Sequence, residues 1–213
     1  MSLALFRPTR ESVCLQQRSL EKWVHGRLGS IDHEKRVVEI ASRLFDLTWP
    51  LHGLTGAERR LLRLAAVVHD VGRCIDDETH PEVGARLIHE WPDLPLEPDE
   101  RRALAYLTRY HRGKVTPVGG DEILRRCDDH ETLRLVLAML RSADGLDGRN
   151  IESPRLQFDL IGRRLQINCL LEQDTPKARK VYARRKKHRL LEELCDCRVE
   201  IRIAPLHSLR LVA

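Results

Sequence analysis

The sequence predicts a mainly α protein. A helical bundle over residues 1–150 is followed by a small α+β unit of β-β-α-β order over residues 151–213. Three observations carry this expectation. Aromatic residues are only 4% of the chain, so the core has to be built from Leu, Val, Ile and Ala. Apolar residues recur at helical spacing before residue 150 and alternate after it. Capping residues, Pro and Gly punctuate the helical stretches.

Residues 11–28 carry a weak helical pattern. Ser30 and Asp32 are cap residues for a helix reaching about Trp49, with Val37, Val38, Ala41, Leu44 and Phe45 on one side. Pro50 and Gly53 are its predicted stop. Thr55 and Glu58 form a capping box. The helix that it opens carries Leu61, Leu62, Leu64, Ala65, Ala66, Val67 and Val68, is apolar on nearly every face and is expected at the centre, ending at Gly72. Pro81 suits a first helical turn after Thr79 and His80, with the helix covering about residues 82–91. Pro92, Pro95 and Pro98 mark a loop before a helix over residues 99–111. Gly113, Pro117, Gly119 and Gly120 mark a longer loop. Asp128 with Glu131 forms a second capping box, and a helix runs through Leu133, Leu135, Val136, Leu137 and Leu140 to Asp144, broken by Gly145 and Gly148. Beyond residue 150, residues 156–161 and 164–170 alternate as a hairpin around Gly162 and Arg163. Thr175 and Pro176 open a long basic helix to about Cys195, and Val199, Ile201 and Ile203 alternate as a third strand.

Apolar residues make up 42% of the chain, which excludes wholesale disorder. The net charge of +5 favours polyanionic ligands such as nucleotides or polyphosphate. No nucleic-acid-reading motif accompanies that charge, so nucleic acid is not the favoured partner. The basic run over residues 177–189 reads either as the wet face of an amphipathic helix or as an electrostatic grip on polyphosphate or nucleic acid. Six cysteines without a CxxC or a regular framework read as reduced thiols, and Cys74 as a small packing residue. The apolar start MSLALFRPTR is too short for a signal peptide, and no run reaches the roughly 18 apolar residues of a membrane span. The expectation is a cytoplasmic protein with no membrane partner.

Four residues carry the candidate chemistry: His33, the pair His69-Asp70, and Asp144. Each falls at a helix end, and imidazoles and carboxylates projected into one cleft suit a divalent cation of the Mn, Fe, Zn, Co or Mg type. Asp70 follows Val67 and Val68 and precedes Val71, where a carboxylate needs a cationic partner. Taken singly, each is also a plain helix cap. The order His33…His69-Asp70…Asp144 resembles the H…HD…D signature of the HD superfamily of metal-dependent phosphohydrolases. The stretches LLRLAAVVHDVGR, THPEVGARLI, LAYLTRYHR and LRSADGLDGRN, in that order, are similar to the C-terminal HD region of the exopolyphosphatase/guanosine pentaphosphatase (Ppx/GppA) family, over about residues 30–204.

The resemblance implies that His33, His69, Asp70 and Asp144 are metal ligands. His80 and His111 match extra histidines of HD proteins with a second metal; His80 equally reads as a cap of its helix and His111 as the end of its own. The implied activity is hydrolysis of a nucleotide, an alarmone or another phosphate ester by metal-activated water. Asp70 would orient that water, Asp76 or Asp77 would assist proton transfer or serve the turn, and Arg73, Arg109, Arg112 and Lys114 would face the phosphate or only solvent. The implied partners are a phosphate-containing small molecule or polyphosphate, with a homodimer also allowed. In larger Ppx/GppA proteins an actin-like domain hydrolyses the substrate, and its glycine-rich phosphate loops do not occur in these 213 residues. The alternative is therefore a non-catalytic module that binds polyphosphate, a nucleotide or a partner protein.

Overall fold

The computed structural model describes residues 10–116, 123 and 130–206. The chain is mainly helical with one small sheet near its C-terminus, as the sequence predicts. Among the described residues six helices come first: α1 (Arg10–Leu28), α2 (Asp32–His52), α3 (Gly56–Val68), α4 (His80–Glu90), α5 (Pro98–Tyr110) and α6 (His130–Gly145). Strands β1 (Arg155–Ile161) and β2 (Arg164–Leu171), helices α7 (Pro176–Tyr182) and α8 (Arg189–Cys195), and strand β3 (Arg198–Pro205) follow. None of the described helices is long and apolar enough to cross a membrane.

Helix α3 is the centre of the bundle and packs against α1, α2, α5 and α6. Its predicted box is present, with Thr55 Oγ1 accepting from Ala57 N at 3.2 Å and Glu58 Oε2 accepting from Thr55 N at 2.7 Å. Every apolar residue from Leu61 to Val68 is buried. Helix ends differ from the expectation in two places. Helix α2 runs through Pro50 and stops only at Gly53, whose φ of +61° is the left-handed geometry in which glycine has no Cβ penalty. A proline one turn from the end costs one ladder bond but does not stop the helix. Ile31 rather than Ser30 occupies the cap position of α2, although Ser30 Oγ accepts from Asp32 N, the first amide of the helix, at 3.3 Å and donates to Asp32 Oδ2 at 2.8 Å. The capping box at Asp128 and the loop residues Pro117, Gly119 and Gly120 lie outside the described residues.

Helix α3 ends at Val68, and a tight 3-10 turn, Val71–Cys74, carries the chain on to α4. Cys74 is exposed there rather than packed. The turn is pressed against the start of α4 at two glycines. A Cβ on Gly72 would lie 2.5 Å from Gly84 N, and one on Gly84 would lie 2.9 Å from Thr108 Cγ2. That close backbone approach fixes the spacing between His69-Asp70 and His80.

In the sheet β1 pairs antiparallel with β2, and β2 pairs parallel with β3. Leu165, Ile167, Cys169 and Leu171 of β2 are buried. The long basic helix expected over residues 176–195 is absent as one piece. It breaks into α7, a 3-10 turn at Arg185–Lys187, and α8. Tyr182 and Leu191 are both fully buried, yet nine residues apart on one straight helix they would lie about half a turn out of phase. Breaking the helix lets Ala178 with Tyr182, and Leu191 with Cys195, each face the core.

His188, between the last two pieces, is buried and its Nδ1 has no partner among the described residues. Burial, with Arg185 and Lys187 nearby, pushes its imidazole down to about 4. An unfolded histidine titrates near 6.5, so between these two values the unfolded chain binds the extra proton and stability falls as the pH drops. About 2 kcal/mol is expected to be lost from this source on going from pH 7 to pH 5. His188→Leu should lose that much less in urea denaturation at the two pH values. An equal loss in both proteins would remove His188 as the cause.

Candidate metal centre

Helix ends deliver the site. His33 is the second residue of α2, His69 and Asp70 directly follow α3, and His80 begins α4. His111 directly follows α5, and Asp144 stands in the last turn of α6. His33, His69, Asp70, His80 and His111 are buried, and the Asp144 side chain is 14% exposed.

Two clusters share Asp70. In the first, His33 Nε2 and His69 Nε2 lie 3.6 and 3.7 Å from Asp144 Oδ1, and His33 Nε2 lies 3.9 Å from Asp70 Oδ2. In the second, Asp70 Oδ1 stands 3.1 Å from His80 Nε2 and 3.4 Å from His111 Nε2. Donors on a tetrahedral ion at about 2.1 Å stand about 3.4 Å apart, so both spacings suit one ion each.

The imidazoles are held by their outer nitrogens. Nδ1 donates to a carbonyl oxygen in three of them: His69 to Ala66 at 2.9 Å, His80 to Asp77 at 2.7 Å and His111 to Thr108 at 2.7 Å. His33 Nδ1 bonds Asp147 Oδ2 at 2.7 Å. A carbonyl only accepts, so each of those three rings keeps a proton on Nδ1, and Nε2 presents a lone pair inward whenever the ring is neutral. His80 Nε2 and His111 Nε2 then face each other at 3.2 Å, close enough to share a proton or a cation. His69 Nε2 and Asp70 Oδ1 are buried and make no hydrogen bond among the described residues. These orphaned atoms and this mixed imidazole and carboxylate donor set fit a borderline divalent cation.

The charge states of Asp70, Asp144 and His111 suit the same purpose, whereas His33 would have to give up its Nε2 proton to a metal. Burial opposes ionisation of Asp70, but the surrounding imidazoles, His69 first, hold its carboxyl well below the usual range. Burial likewise opposes ionisation of Asp144, which Lys187, His33 and His69 overcome. His111 is pushed down to about 4 by burial and is neutral at pH 7. Burial opposes protonation of His33, yet Asp144 and Asp147 outweigh it and raise the ring to about 9.

A cleft opens over His33, Asp70 and Asp144, and Arg73, Arg112, Arg149, Arg184 and Lys187 line it. Arg73 Nε donates to Asp70 Oδ2 at 2.6 Å, and Arg149 Nη2 donates to the same oxygen at 2.9 Å and also to buried Glu34. Of the four cations expected to face phosphate, Arg73 and Arg112 lie at this cleft. Arg109 pairs with Glu82 at 2.8 Å, and Lys114 is exposed outside the lining. Asp76 is a turn residue that accepts from Thr79 N and Thr79 Oγ1 at 2.6 Å. Asp77 is exposed and pairs with Arg73.

Sequence reasoning missed Glu34, Asp147 and Arg149, while Arg184 and Lys187 belong to the basic run over residues 177–189 that also reads as a grip on polyphosphate. Asp147 is the most consequential, since it also accepts from Arg36 Nε at 2.9 Å and from Ser153 Oγ at 2.6 Å. Its signal was the spacing in ADGLDGRN, where a second Asp-Gly follows Asp144-Gly145 after one residue. Asp147→Asn is expected to weaken metal binding about 10–100-fold by loosening His33, as read by titration calorimetry. Unchanged affinity would mean that His33 is held adequately without that charge.

A bundle that gathers imidazoles and carboxylates from its helix ends beneath a ring of cations is a candidate metal centre facing an anionic ligand. Residues 19–183 match the family model of the Ppx/GppA phosphatase, domain III, and the chain belongs to that phosphatase-related family. No curated protein gives a match to the chain.

Proposed function

We propose that the protein is a metal-dependent phosphohydrolase of the HD type, acting on a nucleotide, an alarmone or another phosphate ester. The observation that carries this is the set of Nε2 lone pairs and carboxylate oxygens turned inward on Asp70, with His80 and His111 facing each other at 3.2 Å. His33, His69, Asp70 and Asp144 would hold one ion, and Asp70, His80 and His111 a second. A bound divalent ion supplies Lewis acidity toward a phosphoryl oxygen and lowers the pKa of water to about 7. Arg73, Arg112, Arg149, Arg184 and Lys187 would bind and orient the phosphate and neutralise charge developing on its oxygens during in-line attack. Residue 150 is proposed as the border between the helical unit and the α+β unit, which places the cleft on their seam.

A second reading, a non-catalytic module for polyphosphate, a nucleotide or a partner protein, draws support from Arg73, Arg149 and Lys187, which already neutralise Asp70 and Asp144. Elemental mass spectrometry of the purified protein and phosphate release from nucleotides, phosphate esters and polyphosphate separate the two. Bound metal with turnover abolished by a chelator is the expected result. Bound metal with salt-sensitive polyphosphate binding and no phosphate release would overturn the enzymatic function in favour of the module.

A further inference from the structure

Lys187 reaches the centre through a notch at Gly145. A Cβ on Gly145 would sit 2.7 Å from Lys187 Cβ and 2.9 Å from its Cγ, so glycine is what lets the lysine stem lie there. The stem ends with Nζ 2.5 Å from Asp144 Oδ2, while Asp144 Oδ1 faces His33 and His69. One carboxylate thus serves an ammonium with one oxygen and the candidate metal donors with the other. A divalent ion and an ammonium on the same mostly buried carboxylate are a few ångströms apart and repel strongly. Arg112 and Arg184 line the same cleft and have no carboxylate partner among the described residues. Arginines and lysine thus outnumber carboxylates in the cleft lining before any metal charge is added, and an anion is favoured there.

We propose that Lys187 makes metal and phosphate binding mutually dependent, because the lysine hands its charge from Asp144 to the phosphate when both ligands are present. This coupling rests on the metal-dependent function proposed above. Linkage requires that phosphate tighten metal binding by the same factor as metal tightens phosphate binding. Without phosphate, Lys187 acts as a competitor for Asp144. With phosphate, it becomes a ligand of the anion.

The test is Mn²⁺ binding to the full chain, followed by the paramagnetic resonance signal of the free ion, with and without inorganic phosphate. Phosphate is expected to tighten Mn²⁺ binding to the wild type about tenfold. Lys187→Met should bind Mn²⁺ more tightly than the wild type without phosphate and gain less than about twofold from it. Lys187→Arg should keep most of the coupling. Gly145→Ala, which retains the charge but fills the notch, should lose most of it and serves if Lys187→Met does not fold. Coupling in Lys187→Met and Gly145→Ala equal to that of the wild type overturns the proposal, as does weaker Mn²⁺ binding by Lys187→Met without phosphate. A wild type that binds Mn²⁺ with no response to phosphate overturns the coupling and leaves the metal centre standing. A wild type that takes up no Mn²⁺ removes the metal centre and the coupling with it.

Discussion

Asp70→Asn is expected to strip the centre of metal and to lower phosphate release at least about a thousandfold. Asp70 is the one residue common to both clusters, with Oδ1 toward His69, His80 and His111 and Oδ2 toward His33. The amide keeps the shape of the side chain and loses its charge. It also carries an NH₂ group, which would face either the inward imidazole lone pairs or the guanidiniums of Arg73 and Arg149. The fold should survive, since Arg149 retains Glu34 and Arg73 retains Asp77. The measurement is metal content by elemental mass spectrometry beside a thermal melt. A variant that melts cooperatively and holds as much metal as the wild type would exclude Asp70 as the shared ligand. If metal is lost while phosphate release persists, the centre is structural and hydrolysis happens elsewhere.

What the sequence made legible follows the range over which side chains interact. Helix α3 could be read because its capping box spans three residues and its apolar run is continuous. The bundle and the three-stranded unit could be read because their periods differ. His33, His69-Asp70 and Asp144 could be read as a set because each marks a helix end, and helix ends are local events. Arg73 lies three residues after Asp70 in a 3-10 turn, where residues at that spacing eclipse, so it reaches the carboxylate. Arg109 lies two residues before His111 at a helix end, and residues two apart point to different faces, so it pairs with Glu82 instead. Asp76 and Asp77 lie past the 3-10 turn and serve the turn and Arg73 rather than the cleft floor. Glu34 and Arg149 were illegible because charged residues are 32% of the chain, and Arg184 and Lys187 were legible only as members of the basic run over residues 177–189. Nothing local distinguishes a lysine that lies along a glycine notch from one in solvent. The break in the basic segment depends on Tyr182 donating to Glu152 O at 2.8 Å and accepting from Gly148 N at 3.3 Å, contacts about thirty residues away in sequence.

Gly72→Ala is expected to destabilise the protein by about 3–5 kcal/mol, more than most single-methyl additions cost. The new Cβ would strike backbone rather than a movable side chain, meeting the His80 carbonyl and, at 2.5 Å, Gly84 N. Helix α4 cannot retreat freely, because Gly84 is itself close against Thr108 of α5. The 3-10 turn carrying Gly72 would have to move away from α4, widening the 3.1 Å approach of Asp70 Oδ1 to His80 Nε2. The cluster of Asp70, His80 and His111 should therefore weaken before that of His33, His69 and Asp144, which does not span the turn. Urea denaturation gives the stability loss, and metal titration of the folded fraction should show one tight site in place of the two proposed for the wild type. Gly56→Ala is the control, since Gly56 begins α3 with nothing within 4 Å of an added Cβ and should change stability by less than about 1 kcal/mol. A Gly72→Ala protein as stable as the wild type, with both sites intact, would show that the turn yields easily and does not set the distance between His69-Asp70 and His80.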